Sequence, residues 1–237
     1  TLEKCINSVF DQSFQNYEHI IIDGESDMQT IELIRKHSDK INIAISEKDK
    51  NMWEAINKGI NLSSGEVICI LNSDDFFYKD ALKIAHKYFS ENNIDYLFGS
   101  VLKAKVYHNF YPEKIYYKFN IFPSHSVGFF IKKNVHDELG LYDINLDYCA
   151  DYDLIFRLVR NKKKFLCTKI NEVLGEFSRG GMSTKINIFE KIYHESKVRI
   201  KNKQNIIFVY LLNFLHLLNF FRNRVLQILR IKKNINW

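Results

Sequence analysis

The chain lacks the features that mark an exported, disulfide-bonded protein. Its four cysteines, Cys5, Cys69, Cys149 and Cys167, are scattered, with no C-x-x-C pair and no metal-site spacing. They predict ordinary thiols of a reducing compartment. The first ten residues show neither a basic-then-apolar pattern nor a small-residue cleavage site, so no secretory signal is predicted. We expect the main body of the protein to be cytoplasmic.

Linkers and repeats are also missing from most of the chain. Proline and glycine are scarce, at two and nine of 237 residues, and no stretch before about residue 185 is rich in Pro, Gly or Ser. The 46% hydrophobic and 26% charged fractions are typical of a folded protein with a sizeable core. We therefore predict one domain over residues 1–185, followed by a basic, apolar helical tail over residues 186–237.

Acidic residues are absent from the C-terminal segment. Residues 197–237 contain five Lys and four Arg but no Asp or Glu. The formal charge of the whole chain is only +6, so the remainder is net acidic and the basic character belongs to the tail. A nucleic-acid-binding function inferred from the high pI is excluded, because the acidic remainder offers no phosphate-tracking surface.

The same tail contains a long apolar run. Residues 206–221 are nearly all apolar, and Asn213, His216 and Asn219 interrupt them every three residues, along one side of a helix. Sixteen residues fall short of the roughly 20 that span a bilayer. A broad apolar face with flanking cations is typical of a helix lying in the interface of an anionic membrane. The alternative is a helix packed on the protein's own core or on a partner subunit. We expect peripheral association with the inner face of the cell membrane.

The first part of the chain alternates between strand and helix patterns. The predicted elements are a helix over Leu2–Phe10, a strand over Tyr17–Ile22, a helix over Met28–His37, a strand over Ile41–Ser46, a helix over Met52–Asn61 and a strand over Glu66–Leu71. Strands that alternate with helices of about ten residues predict right-handed crossovers and a mainly parallel sheet.

The second part is less regular. Residues 95–131 are aromatic-rich and broken by two prolines, which predicts antiparallel or irregular structure. The other predicted elements are a helix over Ala81–Phe89 capped by Asp80, a helix over Lys133–Leu139 ended by Gly140, a helix over Asp151–Arg160 and a last strand over Lys164–Lys169.

Two adjacent carboxylates, Asp74 and Asp75, follow the strand predicted at Glu66–Leu71. Ligands of open α/β sheets bind beyond the carboxyl ends of the strands. A divalent cation that holds a diphosphate there requires hard oxygen ligands, such as one or two carboxylates. The pair predicts such a site, although Asp is also common in turns and helix caps.

Four motifs occur along the chain in a fixed order. They are Ile20-Ile21-Ile22-Asp23-Gly24; Ser46-Glu47-Lys48-Asp49-Lys50 leading to Ala55-Ile56-Asn57-Lys58-Gly59-Ile60; Ser64-Gly65-Glu66 leading to Leu71-Asn72-Ser73-Asp74-Asp75; and Ala150-Asp151-Tyr152-Asp153-Leu154. In order and spacing, over residues 1 to about 185, the set resembles the family 2 glycosyltransferases of the GT-A fold that build bacterial polysaccharides. Any one motif alone is weak, whereas the set is specific.

This resemblance implies both a fold and a reaction. The fold is a GT-A-like, Rossmann-type α/β sheet flanked by helices. The reaction is an inverting transfer of a sugar, hexosyl or N-acetylhexosaminyl, from a nucleotide diphosphate sugar, commonly a UDP-sugar, to an acceptor hydroxyl. Mg²⁺ or Mn²⁺ is the implied cofactor. The tail adds a glycan or lipid-linked acceptor at a membrane as the expected partner.

The resemblance also assigns roles to residues. Asp23 would contact the nucleobase, Asp74 the ribose or metal, and Asp75 the metal directly. The general base maps to Asp151, with Asp153 as the alternative. The chemistry agrees, since a leaving diphosphate needs its charge neutralised and an attacking hydroxyl needs a carboxylate to take its proton. The alternative roles are a helix N-cap for Asp151 and an exposed first-turn acid for Asp153.

Other positions match the family less specifically. Asp49 and Lys58 would line the donor pocket or be solvated surface charges. Arg179, which begins a glycine-containing loop, would meet the diphosphate or belong to a plain turn. His125 matches an acceptor-side position but is also typical of a structural histidine, and Trp53 would stack on a ligand or fill the core.

Three departures from the family pattern are present. The strand that usually precedes the first helix is missing, the Asp-Gly-Gly turn has become Asp23-Gly24-Glu25, and Asn51 replaces a usual glycine. Asn tolerates a left-handed backbone, so the fold is expected to survive. Two other classes stay open: a catalytically inert nucleotide-sugar-binding or membrane-partner module of the same fold, and a metal-dependent nucleotidyltransferase. The latter requires a glycine-rich basic loop near the amino terminus, which this sequence does not contain.

Overall fold

The structure, a computed structural model, describes residues 1–108, 111–118, 124–178 and 186–235, with the side chains of the last helix described as far as Leu229. The helices are α1 (Leu2–Phe10), α2 (Met28–Lys36), α3 (Met52–Leu62), α4 (Ala81–Glu91), α5 (Lys133–Leu139), α6 (Ala150–Arg160), α7 (Ile188–Lys201) and α8 (Ile206–Ile235). The strands are β1 (Ile20–Asp23), β2 (Ile43–Ser46), β3 (Val67–Cys69), β4 (Phe76–Phe77), β5 (Tyr96–Lys103), β6 (Lys105–Tyr107), β7 (Phe129–Lys132) and β8 (Cys167–Glu176).

Local chemistry explains several helix boundaries. Asp27 caps α2 by accepting a hydrogen bond from the backbone N–H of Thr30 at 2.9 Å. Asn51 caps α3 by accepting from the N–H groups of Trp53 and Glu54. Its backbone is extended, with φ −164°, so its role is capping and needs no left-handed conformation. Gly140 ends α5 with φ +91°, a conformation that favours glycine.

One predicted cap differs. Asp80 precedes α4, but its side chain makes no cap hydrogen bond. Its carboxylate instead accepts from the hydroxyl of Ser13 at 2.6 Å and ties the segment after α1 to the start of α4. The last strand also differs, because β8 begins three residues later than predicted and runs ten residues. Its pairing with the buried strand β5 extends it beyond what its own sequence indicates.

The strands form two sheets. β1 and β2 pair in parallel, with Asp23 opposite Ser46. The larger sheet has the order β3-β7-β5-β8-β4, with β6 added to β5. The α/β architecture expected from the sequence is confirmed. Among the described strands, the β1–β2 and β5–β8 pairings are parallel, and the other four are antiparallel. β5 reaches β8 through α6, which supplies the crossover that a parallel pair requires.

The two sheets share no strand in the described part of the chain. There, β1 pairs with β2 alone and β3 pairs with β7 alone.

The core lies on both faces of β5. Tyr96 and Phe98 face one cluster, which includes Leu154 and Leu158 of α6. Leu97 faces the other cluster, which contains the buried alanines of α4. Alternate residues of a strand point to opposite faces of the sheet, and all three β5 side chains are at most 2% exposed. The central strand thus joins both layers.

Helix α7 belongs to this body. Ile192 and Val198 are buried, and the amide of Asn202, directly after α7, donates to Asp153 of α6 at 2.8 Å. Helix α7 thus packs on α6, and the boundary expected at residue 185 stays a prediction.

Helix α8 presents its apolar side outward. Val209 and Leu212 are buried, and Ser196 of α7 donates to the Oδ1 atom of Asn213 at 3.1 Å. Exposed apolar residues of α8 include Ile207, Tyr210, Leu211, Phe214, Leu215, Leu218, Phe221, Val225 and Leu229. The side of α8 that faces the protein thus combines the apolar Val209 and Leu212 with the polar Asn213.

The apolar length of α8 exceeds the estimate made from sequence. The stretch Ile206–Leu229, 24 residues, is long and apolar enough to cross a membrane by length and composition, with 11% of its most apolar window buried. The sixteen-residue estimate is corrected because the helix continues through Arg222 and Arg224 into a second apolar segment. Length alone therefore does not exclude a spanning helix.

Candidate active site

The site begins at the carboxyl end of β3, where the chain turns into Asp74 and Asp75. The carboxylate of Asp75 is 1% exposed. It accepts hydrogen bonds from the side-chain amide of Asn72 at 2.9 Å, the hydroxyl of Ser126 at 3.3 Å and the backbone N–H of Ser178 at 2.8 Å. The hydroxyl of Ser178 also donates to the backbone carbonyl of Asp74. Asn72 of the turn itself and two distant segments, at Ser126 and Ser178, therefore fix this carboxylate.

The electrostatics of Asp75 fit a cation. Burial is the main cause that raises the pKa of its carboxyl group, and the neighbouring Asp74 adds to the rise, while the hydrogen bonds oppose it. A carboxylate offers about four acceptor positions, of which three are used. The free position and the negative charge suit a hard divalent ion.

The described residues contain no group of three or more His, Cys, Asp or Glu that would hold a metal by itself. Among the described residues, the Asp74–Asp75 pair is therefore the carboxylate set that this turn offers to a metal. A Mg²⁺ or Mn²⁺ ion with one or two carboxylate ligands normally completes its shell with phosphate oxygens and water, so the donor set fits an ion that arrives with a diphosphate.

A second carboxylate pair lies at the ends of β1 and β2. Asp23 is buried and accepts from the hydroxyl of Ser46 at 2.6 Å and the N–H of Ser26 at 3.0 Å. Burial would raise the pKa of Asp23, but these hydrogen bonds outweigh burial and lower it. Asp23 is therefore held ionised beside the first βα turn.

Asp49 lies next to this turn. Its side chain is 4% exposed and pairs with the ammonium group of Lys58 at 2.8 Å, and Lys58 also contacts Glu47. The other oxygen, Oδ2, is buried and has no hydrogen-bond partner among the described residues. A methyl group built on Gly24 would lie 3.8 Å from that oxygen. Such an atom is costly to bury unless a ligand donates to it.

Asp151 occupies the first turn of α6. Cys149, not Asp151, is the N-cap residue. The Oδ1 atom of Asp151 accepts from the N–H of Tyr152 at 2.7 Å. Burial raises the pKa of Asp151 to about 6, against the opposing effects of that hydrogen bond and of the Lys191 ammonium group. A carboxylate with a pKa near neutrality is suited to take a proton.

Asp153 has a different environment. It is 0% exposed and forms ion pairs with Arg157 at 2.8 Å and Lys201 at 3.1 Å. Asn202 donates to its second oxygen. Both oxygens are thus engaged in joining α6 to α7, and the residue is not the exposed first-turn acid that the sequence left open.

Hydrogen bonds join the loop before α6 to helix α3. Asn51 donates to the carbonyl of Ile144 at 2.8 Å, and the indole N–H of Trp53 donates to the carbonyl of Asp147 at 3.0 Å. Asp151 and Cys69 of β3 both raise the pKa of the buried Tyr142, after burial itself.

The structure describes the surroundings of three residues that match the family less specifically. Trp53 is buried and stacks on Tyr142 with ring centroids 5.3 Å apart, so it fills the core. The ring of His125 stacks on that of Phe177, with centroids 4.1 Å apart. Burial lowers the pKa of His125 to about 4, and the charge of Lys103 adds a smaller effect. Lys58 is engaged in ion pairs. Arg179 and the rest of its glycine loop lie outside the described residues.

Sequence reasoning missed the residues that hold Asp75. Ser126 carries no local signal, since it approaches Asp75 only because β7 pairs with β3. Ser178 offers a weak signal, because it directly precedes the loop that begins with Arg179. Lys191 was missed because a lysine on an amphipathic helix resembles any solvated charge.

Solved structures define the class of this fold. The chain resembles TarS of S. aureus, residues 1–349 in complex with UDP-GlcNAc, with a TM-score of 0.64 at 14% identity over 90% of this chain and 66% of that chain. It also resembles the mannosyltransferase PcManGT of Pyrobaculum calidifontis in complex with GDP-Man and Mn²⁺, with a TM-score of 0.62 at 15% identity over 84% and 60% of the two chains. The fold is that of a GT-A glycosyltransferase, and this chain spans about two thirds or less of both structures.

The family follows from sequence comparison. Residues 1–144 match the family described as glycosyl transferase family 2, and the chain belongs to that family. An uncharacterized glycosyltransferase of Methanocaldococcus jannaschii is 27% identical over 86% of this chain and 76% of its own length. A PGL/p-HBAD biosynthesis glycosyltransferase of Mycobacterium bovis is 24% identical over 78% and 75%. The expected recognition as a family 2 glycosyltransferase is thus confirmed.

Proposed function

We propose that this glycosyltransferase moves a hexosyl or N-acetylhexosaminyl group from a nucleotide diphosphate sugar, UDP-linked in the first instance, to a hydroxyl of a glycan or lipid-linked acceptor, with inversion. The observation that carries the proposal is Asp75, a buried carboxylate held by its own turn and by two distant segments at the end of β3 in a family 2 chain. A purely structural aspartate would be expected to have a cationic partner when it is this buried.

The donor would bind along the carboxyl ends of β1, β2 and β3. Asp23 is held ionised by Ser26 and Ser46 and is suited to accept N–H groups of a nucleobase. The unpartnered Oδ2 atom of Asp49 supports the same role. Lys58 would position Asp49 through their ion pair, and Arg179 would meet the diphosphate.

Asp75, with Asp74, would hold a Mg²⁺ or Mn²⁺ ion. When bound, such an ion neutralises charge on the leaving diphosphate without proton transfer. The raised pKa of Asp75 supports this assignment, because a cation offsets the cost of burying the ionised carboxylate.

Asp151 would act as the general base. The acceptor hydroxyl must lose its proton as it attacks the anomeric carbon, and a carboxylate with a pKa near 6 is ionised at neutral pH while remaining basic enough to accept that proton. The base forms no bond to the sugar, so one displacement gives inversion. The alternative base, Asp153, is less suited because its oxygens are engaged by Arg157, Lys201 and Asn202.

The acceptor side would lie at an anionic membrane, with the body peripheral on the cytoplasmic face and α8 in the interface. The outward apolar face of α8 and the arginines that follow Phe221 support this location. Arg199 and Lys201 do not contribute to it, since Arg199 is buried against the carbonyls of Tyr116 and Lys118 and Lys201 pairs with Asp143 and Asp153.

A donor panel tests the proposal. The full chain is incubated with Mn²⁺ or Mg²⁺, membranes as the acceptor source, and a series of nucleotide sugars, and the released nucleotide is identified by mass spectrometry. Release of a nucleoside diphosphate from one or two donors is expected. Release of a sugar 1-phosphate, the leaving group when the nucleotidyl part of a nucleotide sugar is transferred, would indicate a nucleotidyltransferase. Saturable donor binding without any release would indicate an inert module.

A further inference from the structure

One face of α1 and the segment after it carry a row of side chains that form hydrogen bonds. Cys5, Ser8 and Gln12 are three and four residues apart, the spacing that places side chains on one side of a helix. Cys5 is 6% exposed and Gln12 is 2% exposed. Buried groups of this kind need hydrogen-bond partners. Their partners lie in the segment of the chain that contains Asp74 and Asp75.

Ser8 satisfies the open edge of β4. In the described part of the chain, β4 pairs with β8 alone. The N–H of Tyr78, directly after β4, points toward β8 and donates to the carbonyl of Leu174. The N–H of Phe77 points to the other edge and donates to the hydroxyl of Ser8 at 3.1 Å. That hydroxyl donates in turn to the carbonyl of Cys5 at 2.7 Å, so α1 occupies the place of a neighbouring strand.

Cys5 contacts the other side of the turn. Its thiol donates to the backbone carbonyl of Asn72 at 3.4 Å, and the side-chain amide of Asn72 donates to Asp75 at 2.9 Å. A thiol is a weak donor, so we expect this bond to contribute less than the bonds of Ser8. Helix α1 thus bonds to the chain three residues before Asp75 and two residues after it.

Gln12 extends the row beyond the turn. Its amide donates to the carbonyl of Tyr78 at 2.8 Å, and its Oε1 atom accepts from the N–H of Leu82 at 3.0 Å. These bonds join the end of α1 to the start of α4, farther along the chain from the carboxylates. Gln12 therefore provides an internal comparison, since it makes the same kind of contact with backbone groups outside the turn.

We propose that Ser8, with a smaller contribution from Cys5, is a positioning residue of the metal site. Hydrogen bonds to the carboxylate of Asp75 orient that group, whereas α1 fixes the backbone from which it projects. Because Asp75 directly precedes β4, a shift of β4 away from α1 would move this carboxylate relative to Asp74. The inference rests on the proposed function, in which the Asp74–Asp75 pair holds a divalent ion.

Mn²⁺ binding to the full chain tests this role. Electron paramagnetic resonance with Mn²⁺ alone measures the affinity, because the signal of the free ion falls as the protein binds it. We expect Ser8→Ala to weaken Mn²⁺ affinity by about tenfold, the lower end of the loss for an outer-shell partner, and Cys5→Ala to weaken it less. Gln12→Ala should lower the urea midpoint and leave Mn²⁺ affinity unchanged, which separates positioning from stability.

A conservative variant should rescue the site. Ser8→Thr keeps a hydroxyl that can bond to the carbonyl three residues earlier, and Ser8 lines a cavity of about 580 Å³ that leaves room for a methyl group. We expect wild-type Mn²⁺ affinity in Ser8→Thr. An affinity as low as that of Ser8→Ala would overturn the role of the hydroxyl.

The remaining outcomes also decide the inference. Equal Mn²⁺ affinities in wild type and Ser8→Ala overturn it, as does a loss in Gln12→Ala that matches the loss in Ser8→Ala. If circular dichroism shows that Ser8→Ala does not fold, Cys5→Ala is compared with Cys5→Ser, which keeps a donor, and equal affinities of that pair overturn it. Failure of the proposed function is a separate result, the absence of nucleoside diphosphate release in the donor panel by a wild-type chain.

Discussion

Asp151 and Asp153 lie two positions apart on α6, yet their surroundings give them different chemistry. Asp151 has one short hydrogen bond to its own helix turn and a pKa raised to about 6 by burial. Asp153 is surrounded by Arg157, Lys201 and Asn202. Sequence distance therefore says little about which carboxylate is available to a substrate.

Replacing the candidate base should separate binding from transfer. We expect Asp151→Asn to lower the transfer rate by about a hundredfold or more, the usual contribution of a general base, with donor affinity unchanged by calorimetry. Asp153→Asn should instead lower the free energy of unfolding, by about 3 kcal/mol, because it uncouples a buried ion-pair network. Equal transfer rates in Asp151→Asn and wild type would move the base elsewhere.

The pH dependence of transfer follows from Asp151. A general base acts when ionised, so kcat should be constant above neutrality and fall as the pH drops through about 6. The pKa is raised from 3.8, so this group stabilises the folded state at low pH and loses that effect as the pH rises through about 6. Loss of activity in acid with unchanged circular dichroism is the expected result. A flat profile down to pH 5 would contradict it.

Metal binding at Asp75 makes a second residue-scale prediction. Loss of an outer-shell partner costs about 10–100-fold in metal affinity. Asp75→Asn, which removes the ligand that we propose, should weaken Mn²⁺-dependent donor binding at least as much. Asp137→Asn, on the exposed side of α5, is the matched control. Donor affinity is measured by calorimetry with and without Mn²⁺, and an unchanged metal dependence in Asp75→Asn would remove the residue from the ligand set.

At the scale of elements, the position of Asp75 depends on the close approach of β4 and β8. A methyl group on Gly175 of β8 would lie 2.4 Å from the carbonyl oxygen of Phe76 and 2.7 Å from Val127. Phe76 directly follows Asp75, and Val127 directly follows Ser126, whose hydroxyl donates to Asp75. Packing around a glycine thus determines the geometry of the carboxylate.

Gly175→Ala should therefore destabilise the fold by about 1–3 kcal/mol, the cost of overpacking a close contact. Gly65→Ala is the control, since a methyl group there would meet its nearest neighbour at 3.8 Å, an ordinary contact. Urea unfolding of both variants measures the difference. Equal urea midpoints for the two variants would mean that β4 and β8 move apart with no loss of stability.

At the scale of the whole molecule, α8 exposes far more apolar surface than an ordinary surface helix. Its polar residue Asn213 contacts α7, while Phe214 and Leu218 are 58% and 51% exposed. Burial of such side chains gains about 1.5–3 kcal/mol each. Exposure to water gives no such gain, so the helix is suited to an apolar neighbour. Its arginines Arg222 and Arg224 support the anionic membrane that we propose.

Changing this face should detach the protein from vesicles. We expect Phe214→Gln combined with Leu218→Gln to reduce binding to anionic vesicles by at least about tenfold, since two apolar side chains leave the interface. Met28→Gln with Leu62→Gln, which removes exposed apolar groups from other helices, is the control. If the α8 variant changes sedimentation of the protein alone and not vesicle binding, the face is a subunit interface and the membrane location is wrong.

The sequence by itself determined the α/β class, most helix and strand positions and the family, because apolar periodicity, caps and motif order are local properties of the chain. Tertiary structure alone decided what depends on contacts between distant segments. These features are the antiparallel pairings of the large sheet and the ion pairs of Asp153. They also include the hydrogen bonds from Ser126 and Ser178 to Asp75 and the side of α8 that faces outward. The physical reason is that hydrogen bonding and burial across long sequence separations select among side chains that look equivalent in the sequence.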